Sequence, residues 1–421
     1  MRRVVITGIG AVTPLANSFE DSWKAIISGQ SGIDLISRFD TAGLPWKVAG
    51  EVKGFDAACY ISLKEQRRLD PFVQYAVAAA LMAAEDSGLL AADNAGYAAS
   101  GGVIVGSSRG GISTIEQACG RPSQLQGATE TRRRRVSSYL MPASTTGMAS
   151  SFISQKLGIR GHCLGISNAC ASGANAVGEA FRLIRGGYPG PVVAGGSEAV
   201  VCRFCLEGYG ATGALSKGTD ASASRPFDRN RDGFVLAEGA CILILEELGA
   251  AMRRRAAVFG EISGYGTSAD AFHQTRPHSE GEARALAAAL ADAVVPPGDI
   301  DCVNAHATGT VMGDAAECRA MERVFGKRAA EIPVSALKSM TGHMLGASGA
   351  LEIASMAMSL REGILLPTIN LTGQDPRCSV HTTPVAERAD LRIGLSSSFG
   401  FGGVNAAVVL KRFEEGQTGF S

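Results

Sequence analysis

The sequence predicts an α/β fold in two halves, each a parallel sheet covered by helices on both sides. Three observations carry that prediction. Short apolar runs suited to buried strands alternate with Ala-rich helical segments along the whole chain. Glycine is abundant, 53 of 421 residues, without a collagen-like period, which fits many tight turns and close backbone approaches. Hydrophobic residues make up 46% of a chain long enough on length for two or three domains, so a large core is available.

Composition narrows function before any motif is read. Forty basic residues offset forty acidic ones, so no global field favours nucleic acid or an anionic membrane surface, and no apolar run reaches the length of a membrane span. Ten cysteines are scattered along a chain that opens on Arg2-Arg3-Val4-Val5-Ile6-Thr7, a strand with no hydrophobic leader ahead of it. Reduced thiols and a cytoplasmic location are the expectation. Cys202 and Cys205 form a lone C-x-x-C, which without a second ligand pair reads as structural, and no metal site is expected.

The elements follow in order. After the first strand, Gly8-Ile9-Gly10 is a glycine turn that lacks the third glycine and the later acid of a dinucleotide site. Asp70 can cap a helix, Pro71 suits its first position, and Phe72 to Asp86 is Ala-rich up to Gly88, which together predict a long buried helix. Gly102 to Ser108 reads as a strand running into the loop Arg109-Gly110-Gly111. Arg132-Arg133-Arg134-Arg135 is the densest charge run, either a solvated loop or a docking patch for an acidic partner. Pro191 to Gly196 and Gly239 to Glu246 are further buried strands, Arg225 to Phe234 is a polar ordered loop, and Glu247 to Arg255 carries the chain across. A second half, 256–421 against 1–255, begins with the strand around Phe259 to Gly266. Ser279 with Glu282 predicts a capping box for a helix through Asp292, and no clean sequence repeat relates the halves.

Four stretches place chemistry-bearing residues in small-residue loops at element ends. In Ser167-Asn168-Ala169-Cys170-Ala171-Ser172-Gly173, Cys170 sits at a strand-to-helix turn, with a helix from about Ala171 to Arg185 directing its N–H groups and positive dipole end at the sulfur. That placement favours a thiolate. His306 lies in Asn304-Ala305-His306-Ala307-Thr308-Gly309-Thr310, and Asp314 downstream is positioned to N-cap a helix to Phe325, with Glu317 at the capping-box position. Lys338 and His343 share Lys338-Ser339-Met340-Thr341-Gly342-His343, followed by an apolar helix bearing Glu352. The last is Phe399-Gly400-Phe401-Gly402-Gly403-Val404-Asn405. Alone, Cys170 reads as a packed hydrophobe and each histidine as structural. Together they suit one chemistry. A thiolate takes an acyl group from a thioester, and two neutral imidazoles stabilise the enolate left when a malonyl-type thioester loses carbon dioxide. The Gly400 to Gly403 turn and Cys170 supply N–H groups for an oxyanion hole, while Lys338 and Glu352 form a charged pair fixing His343 and the tautomers.

These four motifs, with Val4 to Gly8, Asp70-Pro71-Phe72 and Arg225-Pro226-Phe227-Asp228, resemble those of the elongating β-ketoacyl-acyl carrier protein synthases of type II, nearly end to end. The resemblance implies the thiolase fold, two similar α/β halves in five layers, and a homodimer. It implies that Cys170 is the acylated nucleophile, that His306 and His343 drive decarboxylation and condensation, and that Lys338 orders them with Asp314 and Glu352. It assigns Thr308 and Thr310 to the phosphopantetheine arm and Phe401 to a gate whose N–H joins the oxyanion hole, beside Gly402 and Asn405. The arm arrives on the acyl carrier protein, so the enzyme needs no cofactor of its own. That carrier is acidic, which makes Lys64, Arg68, Arg134 and Arg135 a docking surface. The reaction implied is elongation of a fatty acyl chain. A ketosynthase of a type II polyketide or polyene pathway shares the motifs, and a non-catalytic chain-length-factor subunit is disfavoured because it normally lacks the cysteine.

Two positions depart from the pattern. Ala307 replaces a common glycine, a change expected to leave the His306 loop intact. By resemblance Arg109 borders the acyl pocket, where an unpaired guanidinium would be costly. Either it turns toward solvent or a dimer interface, or the pocket is shorter or meets a polar chain.

Overall fold

The computed structural model describes residues 2–120 and 137–414. Ten strands form one sheet, numbered here in chain order: β1 Val4–Val12, β2 Gly102–Gly106, β3 Cys163–Ile166, β4 Val192–Glu198, β5 Gly239–Glu247, β6 Gly260–Ala269, β7 Cys302–Asn304, β8 Val334–Ser335, β9 Ile393–Gly400 and β10 Val404–Lys411. Their spatial order is β8-β7-β9-β10-β6-β1-β5-β4-β2-β3. Read outward from the middle, each half repeats one connectivity, β1-β5-β4-β2-β3 on one side and β6-β10-β9-β7-β8 on the other.

The expectation of a parallel sheet holds only at the flanks. β2 pairs in parallel with β3 and β4, and β7 with β8 and β9. The central pairs β4–β5, β5–β1, β1–β6, β6–β10 and β10–β9 are all antiparallel. A strand buried on both faces carries the same continuous apolar run whichever way its neighbour points, so composition did not distinguish the two.

Seven helices frame the site: α1 Pro71–Asp86, α2 Met148–Leu157, α3 Ser172–Arg185, α4 Arg203–Ala211, α5 Ser279–Asp292, α6 Val311–Phe325 and α7 Ser348–Glu362. α1 and α2 cover the first half of the sheet from outside, and α5 and α6 the second. α3 and α7 lie together between the two halves, which completes five layers. α7 is buried at every position from Ser348 to Leu360, as a helix with sheet on both sides must be.

Both central helices open identically. A single 3-10 turn, Ala169–Ala171 or Leu345–Ala347, leads into Ser172 or Ser348, and Ala171-Ser172-Gly173-Ala174 matches Ala347-Ser348-Gly349-Ala350 residue for residue. This is the sequence trace of the duplicated connectivity. The shared glycine has a packing reason: a Cβ on Gly173 would lie 2.4 Å from the Gly346 carbonyl oxygen, and one on Gly349 2.7 Å from the Ser398 hydroxyl.

The long helix predicted around Phe72 to Asp86 is α1, with Asp70 accepting from the Phe72 N–H and Pro71 in the first turn. Two caps differ from expectation. The residue before α5 is His278, so Ser279 is already helical, and Glu282 is buried in the cavity wall. α6 begins at Val311 with Thr310 as its cap, which puts Asp314 inside the first turn.

Gly173→Ala is expected to lower the folding free energy by about 1–3 kcal/mol, because a close backbone contact must open. Gly208→Ala on α4, where nothing lies within 4 Å of the new Cβ, is expected to be neutral or stabilising by up to about 1 kcal/mol. Denaturant midpoints of the two variants check the contrast.

Candidate active site

Cys170 is the middle residue of the 3-10 turn ahead of α3, reached from the edge strand β3. Ala169 beside it has φ 46°, a left-handed conformation rarely adopted by a residue with a Cβ. His306 follows β7 after Ala305. His343 follows β8 after the one-turn helix Lys338–Thr341, and its backbone is clamped by N–H donation to Val235 O and by acceptance from the Ala237 N–H. Three strand ends thus deliver three side chains to one point. The sulfur and one nitrogen from each ring all lie within 4.8 Å of one another. The imidazole planes cross at 84°, with ring centroids 5.3 Å apart.

Both rings are held neutral. Burial first, then the Lys338 charge and the neighbouring ring, hold His306 well below the ordinary histidine value, and burial with Lys338 does the same to His343. The Lys338 ammonium lies 2.5 Å from a Glu352 oxygen and 3.3 Å from His306 Nδ1. As Lys338 can only donate, His306 Nδ1 accepts and its Nε2 carries the proton. His343 Nδ1 lies 3.2 Å from the Ser348 hydroxyl, while its Nε2 is buried without a hydrogen-bond partner among the described residues. That atom is open to a hydrogen bond with a ligand. The charged pair was expected to fix His343; it touches His306 instead, and Ser348 serves His343.

The sulfur differs from the expected thiolate. Burial pushes the Cys170 thiol up to about 11, against the opposing pull of Lys338, the Phe401 N–H and Arg109. Desolvation is the largest of these influences, and it favours the thiol. The Phe401 N–H points at the sulfur, where with the Cys170 N–H it can face a developing oxyanion.

Three buried carboxylates hold the loops, and two of them were not singled out from the sequence as site residues. Glu317 accepts from the N–H groups of His306 and Ala307 at 2.8 and 2.7 Å and from the Ser397 hydroxyl at 2.7 Å. Ala307 has φ 29°, so the residue expected to be innocuous occupies a backbone region that favours glycine, and Glu317 restrains it there. Glu198, at the end of β4, accepts from the Ser107 hydroxyl and the N–H groups of Ser108, Arg109 and Gly346. It joins the loop after β2 to the turn before α7. Asp314 accepts from the N–H groups of Phe227 and Gly309, with Arg231 3.4 Å away. The sequence sign of these acids is a carboxylate set within an otherwise apolar run, at the end of β4 or among Ala315, Ala316, Cys318 and Met321.

A cavity of about 210 Å³ opens onto the trio. Thr308, Thr310, Phe401, Gly402 and Asn405 line it as expected. The Thr308 and Thr310 hydroxyls are 3.1 Å apart, and the Asn405 amide donates to Asp270 and Ser268. Tyr209, on α4, also lines it and was not foreseen. Arg109 lies outside the lining: it is exposed, and its Nε–H donates to the Tyr209 hydroxyl at 2.8 Å. Lys64 is exposed, Arg68 stacks 4.5 Å from the Tyr139 ring, and neither lines the cavity. Arg134 and Arg135 lie outside the described residues. Cys202 and Cys205 are buried.

Residues 1–251 match the family described as "Beta-ketoacyl synthase, N-terminal domain" and residues 259–372 match "Beta-ketoacyl synthase, C-terminal domain". The chain is 42% identical to a "3-oxoacyl-[acyl-carrier-protein] synthase 2" of Staphylococcus aureus strain N315, over 98% of this chain and 99% of that one. Among solved structures it is similar to the ishigamide ketosynthase/chain length factor, with TM-score 0.88 and 34% identity over 98% of this chain and 100% of that one. It is also similar to a type II polyketide ketosynthase, bound to the hexaketide and in complex with its acyl-carrier protein, with TM-score 0.89 and 29% identity over 98% and 100% of the two chains. The five-layer arrangement is therefore the thiolase fold.

Because burial raises the thiol, alkylation of Cys170 by iodoacetamide is expected to keep accelerating as the pH rises from about 8 to 10, following the thiolate fraction. A rate that levels off below about pH 7 would contradict the assignment of a resting thiol.

Proposed function

The chain belongs to the β-ketoacyl synthase family, and from that premise we propose that it condenses an acyl chain carried on Cys170 with malonyl-acyl carrier protein, releasing carbon dioxide and elongating a fatty acyl chain. The observation carrying this reading is the convergence of one sulfur and two neutral imidazoles.

In the first half-reaction Cys170 Sγ attacks the acyl thioester carbonyl. The oxyanion is met by the N–H groups of Cys170 and Phe401, the C–S bond to the carrier breaks, and the departing thiolate takes up the proton that the cysteine gave. In the second, the malonyl carboxylate leaves as carbon dioxide and its electron pair passes into an enolate. The Nε2–H groups of His306 and His343 donate to the enolate oxygen. The nucleophilic carbon then attacks the acyl carbonyl, the bond to Cys170 breaks, and one proton from solvent restores the thiol. Lys338 with Glu352 positions His306, and Asp314 with Glu317 positions the loop carrying it. Thr308 and Thr310 offer hydroxyls to the phosphopantetheine arm, which reaches the site on the carrier protein, so no cofactor resident in the enzyme takes part.

Several features extend the reading. The duplicated connectivity supports two halves, 1–255 with the nucleophile and 256–421 with both histidines. The edge strand β3 leaves Leu164 exposed and, among the described residues, its outer backbone groups without a strand partner, which supports a homodimer extended across that edge. Lys64 and Arg68 are offered to the acidic carrier protein. Among the described residues no helix is long and apolar enough to cross a membrane, and ten free thiols in the chain suit the cytoplasm. The type II polyketide reading uses the same site and is supported by the likeness to the type II polyketide ketosynthase; a chain-length factor would leave Cys170 without a task.

Intact-protein mass spectrometry after incubation with acyl-carrier protein is expected to show one acyl group on Cys170. Cys170→Ala is expected to lose the adduct and to lower condensation by more than about a thousandfold. An unmodified Cys170, or normal condensation by the variant, would refute the reading.

A further inference from the structure

From Cys170 the cavity runs two ways. One way leads past Thr308 and Thr310 to Val311 and the strongly exposed Met312, which mark the mouth. The other leads to an apolar wall that includes Tyr209, Phe234, Leu345 and Phe401. Cys170 and Phe401 pack there against a buried apolar cluster that includes Leu206, Tyr209, Phe234 and Leu345. A carrier-borne arm that enters past the exposed Met312 leaves the acyl chain bonded to the sulfur to extend along that apolar wall.

Tyr209 brings a hydroxyl to that wall. The Tyr209 ring packs edge-on against Phe234 with centroids 5.7 Å apart and tilts against Phe401 at 6.4 Å, so the ring is fixed. Its oxygen accepts the Arg109 Nε–H at 2.8 Å, and the guanidinium carbon lies 5.3 Å from the ring centroid. Arg109 is in turn held by its own backbone N–H donating to the buried Glu198. The phenol proton has no acceptor among the described residues. An adjacent cation makes a hydroxyl a stronger donor, and a hydrocarbon pressed against it would strip its water and return nothing.

We propose that Tyr209 sets acyl specificity from the cavity wall by donating to a carbonyl oxygen on the bound chain, with Arg109, outside the lining, positioning and polarising that donor. The enzyme therefore favours chains bearing an oxo group at the depth of Tyr209 over saturated chains of equal length. A site built to hydrogen-bond a substrate group discriminates against the analogue lacking it far more strongly than an apolar pocket discriminates by a methylene. Burial keeps the phenol above its ordinary value, so it remains a donor throughout the working pH range. The inference rests on Cys170 being the acylated residue.

Transfer to Cys170 is followed by mass spectrometry from carrier protein loaded with octanoyl or with each of its oxo isomers, the carbonyl placed at successive carbons toward the tail. At least one oxo isomer is expected to transfer about tenfold or more faster, as kcat/KM, than octanoyl. Tyr209→Phe is expected to bring that ratio to near one, and Arg109→Gln to lower it without abolishing it. General damage to the fold lowers both rates together and leaves the ratio intact. Octanoyl outrunning every oxo isomer, or the preference surviving in Tyr209→Phe, overturns the inference while leaving the ketosynthase reading in place. Failure of every chain to acylate Cys170 overturns both.

Discussion

Lys338 holds a full positive charge where only 1% of its surface reaches solvent, and the chemistry of the site depends on how that charge is kept. An isolated ammonium at such depth would cost several kcal/mol, and breaking such a pair is more damaging than the pair is stabilising. Glu352 answers the charge from α7, and the remaining donor capacity is turned on His306 Nδ1. Two consequences follow together. The tautomer of His306 is fixed with its proton on Nε2, and a positive neighbour disfavours a second proton on either ring. A protonated imidazole could still donate, but it would also offer the nascent carbanion an acid that quenches it. Neutral donors stabilise the enolate without that loss.

The central layer makes this placement possible. Lys338 and His343 follow β8, His306 follows β7, Cys170 follows β3 and Glu352 lies within α7, so the site exists only where two half-sheets meet across α3 and α7. Gly173 and Gly349 let those helices approach that junction, and Glu198 and Glu317 tie the flanking loops to it through backbone N–H groups. Carboxylates that each accept three or four hydrogen bonds act as rigid braces. The strained backbone at Ala169 and Ala307 persists because its surroundings over-determine it.

Much of this was legible in the sequence, for identifiable reasons. Asp70-Pro71 capped α1 as read, because capping is a local interaction between neighbours in the chain. Cys170, His306, His343 and Phe401 converge as the motifs implied. What failed depended on distant partners. The antiparallel centre of the sheet is invisible to a pattern that records only burial. The cap of α6 fell to Thr310 because Asp314 was drawn inward to Phe227, Gly309 and Arg231. Lys338 chose His306 over the nearer-in-sequence His343, and the Cys170 thiol was raised by the desolvation of its buried position. Arg109 turned out to be tied to a tyrosine a hundred residues away.

The neutrality of the two histidines is the claim on which the mechanism stands, and nitrogen NMR of histidine-labelled enzyme reads it directly. His306 is expected to keep the shifts of a neutral, Nε2-protonated ring and His343 those of a neutral ring from about pH 8 down to about pH 5, below the ordinary histidine range. Titration of either ring near about pH 6.5, or a resting Nδ1-protonated tautomer at His306, would contradict the account.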